Sequence, residues 1–129
     1  MSKLLTGNFM KLLSGYITMG LMDHKTVEKY ILSMPNARLD YPFGEEAAVY
    51  KVGDKMFALI QEGKEPVRLS LKCDPVLSKV LREKYDTVMP GYHLSKKHWN
   101  TIVLTGQLPW EEVQGLIRHS YDLVTGAES

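Results

Sequence analysis

The densest group of residues able to do chemistry is the stretch HLSKKHWN, in which His93, Lys96, Lys97, His98, Trp99 and Asn100 fall within eight positions. Lysines neutralise phosphates, and aromatic or amide side chains set among them can meet bases, so the stretch, with Tyr92 just before it, has the composition of a nucleic-acid surface. The same residues also have structural readings. Trp99 reads most simply as core, its indole packed where a loop enters a strand, and His93 and His98 can equally fix an irregular loop. Two histidines five residues apart, with neither Cys nor carboxylate beside them, do not make a zinc ligand set, and no metal is expected.

Two further groups invite a catalytic reading. Cys73 stands just before Asp74, so its sulfur could lie near a helix N-terminus where thiolate is favoured, with His93 or His98 as base. Cys73 also continues the inward register of Val67, Leu69 and Leu71, which is the position of a small buried hydrophobe. Glu45 and Glu46 are adjacent, and adjacent strand residues point to opposite faces, so they read as solvated loop carboxylates rather than an acid/base pair. The glycines are dispersed and form no phosphate-cradling loop, and no Ser-His-Asp set can be argued from spacing. Neither a catalytic constellation nor a cofactor is expected.

The elements that must position these residues are legible from their periods. Asp23 caps a first helix with Val27, Tyr30, Ile31 and Met34 on one face, ended by Pro35. PNARLDYPFGEE reads as a turn-rich loop. Ala47 to Val52 and Met56 to Gln61 form a hairpin about the two-residue turn Gly53-Asp54. After a turn at Glu62, Gly63 and Lys64, PVRLSLKC alternates Val67, Leu69, Leu71 and Cys73 against Arg68, Ser70 and Lys72, giving a half-buried strand with a basic outer face. Asp74-Pro75 starts a second helix running to about Tyr85, with Val76, Leu77, Val80 and Leu81 inward. Met89, Pro90 and Gly91 break the chain, Ser95 can cap a single helical turn, and Thr101 to Thr105 is another strand. Trp110, Val113, Ile117, Tyr121 and Val124 repeat at helical spacing to close the domain. The expected fold is α+β: a single compact domain of order αβββαβα, its sheet antiparallel because short turns cannot join parallel strands, with helices on one face.

Length and composition agree with one globular core. The chain has 129 residues, 44% hydrophobic and 24% charged, which suits one folded domain and not a disordered one. Cys73 is the single cysteine, so no internal disulfide framework exists and a reducing compartment, the cytoplasm, is the expected location. No apolar run reaches the roughly 18 residues a membrane span needs. Residues 1–22 are loosely apolar but interrupted by Asn8, Lys11, Ser14 and Gly15 and lack a small-x-small cleavage site, so they read as a peripheral extension and not an export signal. The domain is expected over residues 23–124, with a short tail at 125–129. Formal net charge is only +1, yet residues 64–100 carry eight bases against four acids and residues 101–129 one base against four acids. The charge is polarised along the chain.

Four stretches together, YPFGEEAAVYKVGDKMFAL, LSLKCDP, MPGYHLSKKHWNTIVL and LPWEEVQGLIRHSYDLV, resemble the MmcQ/YjbR family of small bacterial proteins, from about Asp23 to Val124. The resemblance implies a compact α+β fold similar to secretion-chaperone-like domains, and a DNA-binding role of the double-wing kind. With the local basic charge it gives the leading expectation: a non-enzymatic, sequence-tolerant DNA-binding protein. Phosphate contacts would come from Arg68, Lys72, Lys79, Lys96 and Lys97, with Tyr92, His93, His98 and Asn100 near bases. The rival expectation is a protein-interaction or small-ligand module that presents an apolar patch to a peptide or a second copy.

Overall fold

The computed structural model describes residues 22–91 and 94–126. Among them lie helices α1 (His24–Leu32), α2 (Pro75–Lys84) and α3 (Trp110–Thr125). The strands are β1 (Ala37–Asp40), β2 (Ala47–Val52), β3 (Lys55–Gln61), β4 (Arg68–Lys72), β5 (Val88–Pro90) and β6 (Trp99–Val103). One six-stranded sheet runs β1-β2-β3-β4-β6-β5, with every neighbouring pair antiparallel. The α+β class and the antiparallel sheet agree with the sequence reading.

Two strands escape that reading. β1 lies inside PNARLDYPFGEE, where Pro35, Asn36 and Pro42 mask a four-residue strand; Asn36 takes a left-handed φ of 64° that turns the chain from α1 into it. β5 lies in the segment read as a break, because Pro90 is tolerated on a sheet edge where no ladder N–H is needed. The last strand begins two residues earlier than expected, so Trp99 and Asn100 belong to β6 rather than to a loop.

The caps explain why the helices start where they do. The Asp23 carboxylate accepts from Thr26 N–H at 2.8 Å, and Asp74 Oδ2 accepts from Val76 and Leu77 N–H at 3.0 and 3.1 Å. All three described helices pack on one face of the sheet. There Tyr50, Ala58, Ile60, Leu69, Leu71 and Ile102 meet Val27 and Ile31 of α1 and Val113, Ile117 and Val124 of α3. Met22 is buried in the same core, so the packed domain includes it. The rest of the N-terminal extension and residues 127–129 lie outside the described residues. Among the described residues no helix is long and apolar enough to cross a membrane.

The second helix corrects the expected burial. Val76 and Val80, read as inward, are 73% and 50% exposed. The stripe turned to the sheet is instead Ser78, Leu81, Arg82 and Tyr85, at i, i+3, i+4 and i+7, with Ser78 buried and the other three partly so. A serine and an arginine on that stripe hide it from a hydrophobic pattern.

Candidate functional site

Strand alternation fixes the outer face. Ser70 pairs with Leu59 on one side and with Thr101 on the other, and Lys72 with Trp99, so Arg68, Ser70 and Lys72 point away from the described helices. The Ser70 and Thr101 hydroxyls bond each other at 2.7 Å in the buried centre of this face. Arg68 is exposed and Lys72 half-buried, four residues apart and therefore about 13 Å along the strand.

Lys72 is held by a repair in the sheet. Tyr50 pairs with Ala58 and Lys51 with Met56, leaving Phe57 as an extra residue in β3. Ser120 of α3 fills the gap: its hydroxyl donates to Phe57 C=O at 2.5 Å and accepts from Lys72 N–H at 2.9 Å. The bulge thus anchors the backbone from which Lys72 projects.

Two cations outside the sequence-derived set share this face. Arg38 pairs with Lys51 across β1 and β2, and Lys51 alternates with Val49 on the outer side. Lys51 Nζ lies 3.2 Å from Asp40 Oδ2 and Arg38 Nη1 3.9 Å from it. The Lys51 ammonium and the Tyr41 N–H hold the Asp40 carboxyl below its ordinary value. Arg38, Lys51 and Lys72 therefore stand in one transverse row at the β6-entry end of the sheet. The expected cluster drew its cations from residues 64–100; only strand order, which no local pattern reveals, brings Arg38 and Lys51 beside them.

The remaining expected residues divide. Lys96 and Lys97 are exposed in a turn closed by His98 and Trp99 N–H donating to Ser95 C=O at 3.3 and 3.0 Å, which places them at the same end of the sheet as Lys72. Ser95 closes that turn with its carbonyl, not as a side-chain cap. His98 is exposed, and its carbonyl accepts from Cys73 N–H at 2.8 Å. Lys79 is exposed on α2, on the opposite side of the sheet, and leaves the group. Asn100 is only 2% exposed. Its Oδ1 accepts from Arg82 Nε at 2.6 Å and its amide donates to Ser78 C=O at 3.5 Å, so it organises the turn from beneath and does not reach a ligand. Arg82 also donates to the carbonyls of Trp99, at 3.1 Å, and of Lys96. Tyr92 and His93 lie outside the described residues.

The other candidates have quieter placements. Trp99 is buried, and Gly91 lies against it: a Cβ at Gly91 would stand 2.7 Å from Trp99 Cβ, so only glycine fits there. Cys73 is buried, as its inward register implies. Glu45 and Glu46 are exposed in a turn. Among the described residues no three His, Cys, Asp or Glu side chains converge to hold a metal. None of Arg68, Lys72, Lys79, Lys96 or Lys97 has an ion pair among the described residues. The acidic residues of α3 therefore do not neutralise them; Glu112 instead accepts from Tyr85 OH at 3.2 Å.

A second polar constellation, outside the sequence-derived residues, joins α1 to the sheet. Buried Tyr50 donates its hydroxyl to Glu28 Oε2 at 2.5 Å, and burial first, then that carboxylate, pushes the phenol well above its usual pKa. His24 bridges Glu28 at 3.6 Å and Glu62 at 2.9 Å, tying α1 to the β3–β4 turn. The i,i+4 spacing of His24 and Glu28 was its one legible sign. Beside it opens a depression of about 220 Å³ lined by His24, Gln61, Gly63, Lys64, Glu65 and Val67.

Comparison with known proteins adds the following. The YjbR family model matches residues 32–123. The uncharacterised protein YbdF of Escherichia coli O157:H7 is 35% identical over 101 residues, covering 78% of this chain and 83% of its own. The uncharacterised protein YjbR of Escherichia coli K12 is 34% identical over 93 residues, 72% of this chain and 79% of its own. Among solved structures, a Deinococcus radiodurans protein with a DUF419 domain superposes with a TM-score of 0.78 at 38% identity, covering 81% of this chain and 80% of that one. A Pseudomonas syringae crystal structure gives 0.68 at 29% identity, covering 79% and 98%.

Proposed function

This chain belongs to the YjbR family, and from that premise we propose that it is a cytoplasmic, non-enzymatic protein that binds nucleic acid through phosphates with little regard to sequence. The observation that carries the reading is the transverse row Arg38, Lys51 and Lys72 on the outer face of the sheet, extended at one end by Lys96 and Lys97 and along β4 by Arg68. A cationic surface of this kind displaces the counterions condensed on a duplex, which gives affinity without base readout. His98 is exposed beside the row, and its imidazole would stack on an unpaired base. Lys79 and Asn100 have no part in it.

The test is fluorescence anisotropy with a labelled duplex between about 50 and 200 mM salt, where four to six phosphate contacts give a slope of log affinity against log salt of roughly −4 to −5. Replacing Lys96 and Lys97 together with Ala is expected to weaken binding equally for unrelated sequences. Salt-independent binding, or none at the lowest salt, overturns the reading.

A second reading, a protein-interaction module, draws on a different observation: Phe43 is 61% exposed and Val76 73%. Large apolar side chains left in water at two separate places are what a partner surface would cover.

A further inference from the structure

Among the described residues the sheet ends at β5 on one side and β1 on the other, and these edges are finished differently. β5 is three residues long and ends in Pro90, which cannot donate to a neighbouring strand. β1 at the other edge has no proline within it and presents Arg38, Leu39 and Asp40 in succession. Its two outlying amides are satisfied within the chain: Ala37 N–H donates to Met34 C=O at 3.1 Å and Tyr41 N–H to Asp40 Oδ1 at 2.8 Å. Amides of alternate residues point the same way along a strand, so the Leu39 N–H and C=O between them face away from β2. Leu39, Tyr41 and Phe43 follow one another at period 2 and are 37%, 42% and 61% exposed.

We propose that β1 pairs with β1 of a second copy, antiparallel about a two-fold axis through Leu39, joining two sheets into one. That register is self-complementary. Leu39 exchanges both backbone hydrogen bonds with its equivalent, and Arg38 of each copy falls opposite Asp40 of the other, so two opposite-charge cross-strand pairs form on the outer face while Leu39 packs on Leu39 on the inner one. A parallel pairing would set Arg38 beside Arg38, and a shift of one residue would turn every side chain to the wrong face. The charge order of the strand, cation, apolar, anion, thus selects a copy of itself as partner.

The experiment is sedimentation equilibrium and native mass spectrometry on the full chain with three variants. Wild type is expected to show a monomer–dimer equilibrium. Arg38→Asp sets acid against acid and Asp40→Arg base against base, so each alone is expected to weaken self-association about tenfold or more, whereas an equimolar mixture of the two recovers a heterodimer at the wild-type level. Leu39→Lys, outside the hydrophobic core, is expected to weaken association without altering the circular dichroism spectrum. A wild-type chain that stays monomeric at millimolar concentration overturns the proposal. So does retention of the wild-type association constant by Arg38→Asp or Leu39→Lys, or a mixture of folded charge variants that fails to pair.

Discussion

Strand β4 and helix α2 are consecutive in the chain, each carries cations, and the structure treats them oppositely. β4 obeys its written pattern: Leu69 and Leu71 go to the core, while Arg68 and Lys72 go to the outer face. α2 does not, for Val76 and Val80 face water while Ser78 and Arg82 face the sheet. In a strand the pleat allows two faces, and one buried side settles both. A helix can rotate about its axis, and here the rotation is set by Arg82, whose guanidinium finds Asn100, the Lys96 carbonyl of the β5–β6 turn and the Trp99 carbonyl at the start of β6. This polar anchor fixes the rotation, and Val76 and Val80 are left facing water.

The contrast can be broken by substitution, the largest effect first. Leu69→Ala is expected to cost about 3 kcal/mol in urea unfolding, since Leu69 is fully buried in the core. Arg82→Ala is expected to cost about 2 kcal/mol, because it leaves the buried Asn100 Oδ1 without this donor, while the Trp99 carbonyl keeps the Gly91 N–H; a loss no greater than that of a surface substitution would remove the anchor argument. Val76→Ala, in the helix whose pattern fails, is expected to change stability by less than about 0.5 kcal/mol. A loss like that of Leu69→Ala would mean the helix is rotated as its hydrophobic pattern suggests.

The smallest effect is in acid. Asp23 is held low first by the Thr26 N–H, and Asp40 first by Lys51. A carboxyl whose folded pKa is depressed contributes stability above its ordinary value, and that contribution disappears as pH falls through the folded one. Urea unfolding at pH values from neutral to below 3.8 is therefore expected to show a decline that Asp23→Asn and Asp40→Asn each make shallower.

Most of the fold follows from local patterns in the sequence. The Gly53-Asp54 hairpin, the strand register of RLSLK, the Asp74-Pro75 start and the spacing of Val113, Ile117 and Val124 each follow from a local rule and are seen, but Ser70 is buried, so β4 is covered on both faces at its centre and is not the half-buried strand its alternation suggests. β1 and β5 were illegible because both are short edges next to proline, where the ladder tolerates what a central strand forbids. The candidate site was half legible. Arg68 and Lys72 lie on the outer face as the strand alternation predicts, and Lys96 and Lys97 lie in the turn beside it, but Lys79, close to them in sequence, sits across the sheet. Arg38 and Lys51 join the others only through strand order, and Asn100 is a buried strand residue because β6 begins two residues before the apolar run that marks it in the sequence.

The central claim is that phosphate binding belongs to the outer sheet face and not to α2. Duplex affinity measured across salt for Arg68→Ala/Lys72→Ala and for Lys79→Ala tests it most directly. The double variant is expected to flatten the slope of log affinity against log salt by about 2 and to bind at least roughly tenfold more weakly at low salt, while Lys79→Ala leaves both unchanged. Equal losses from the two proteins, or wild-type binding by the double variant, would contradict it.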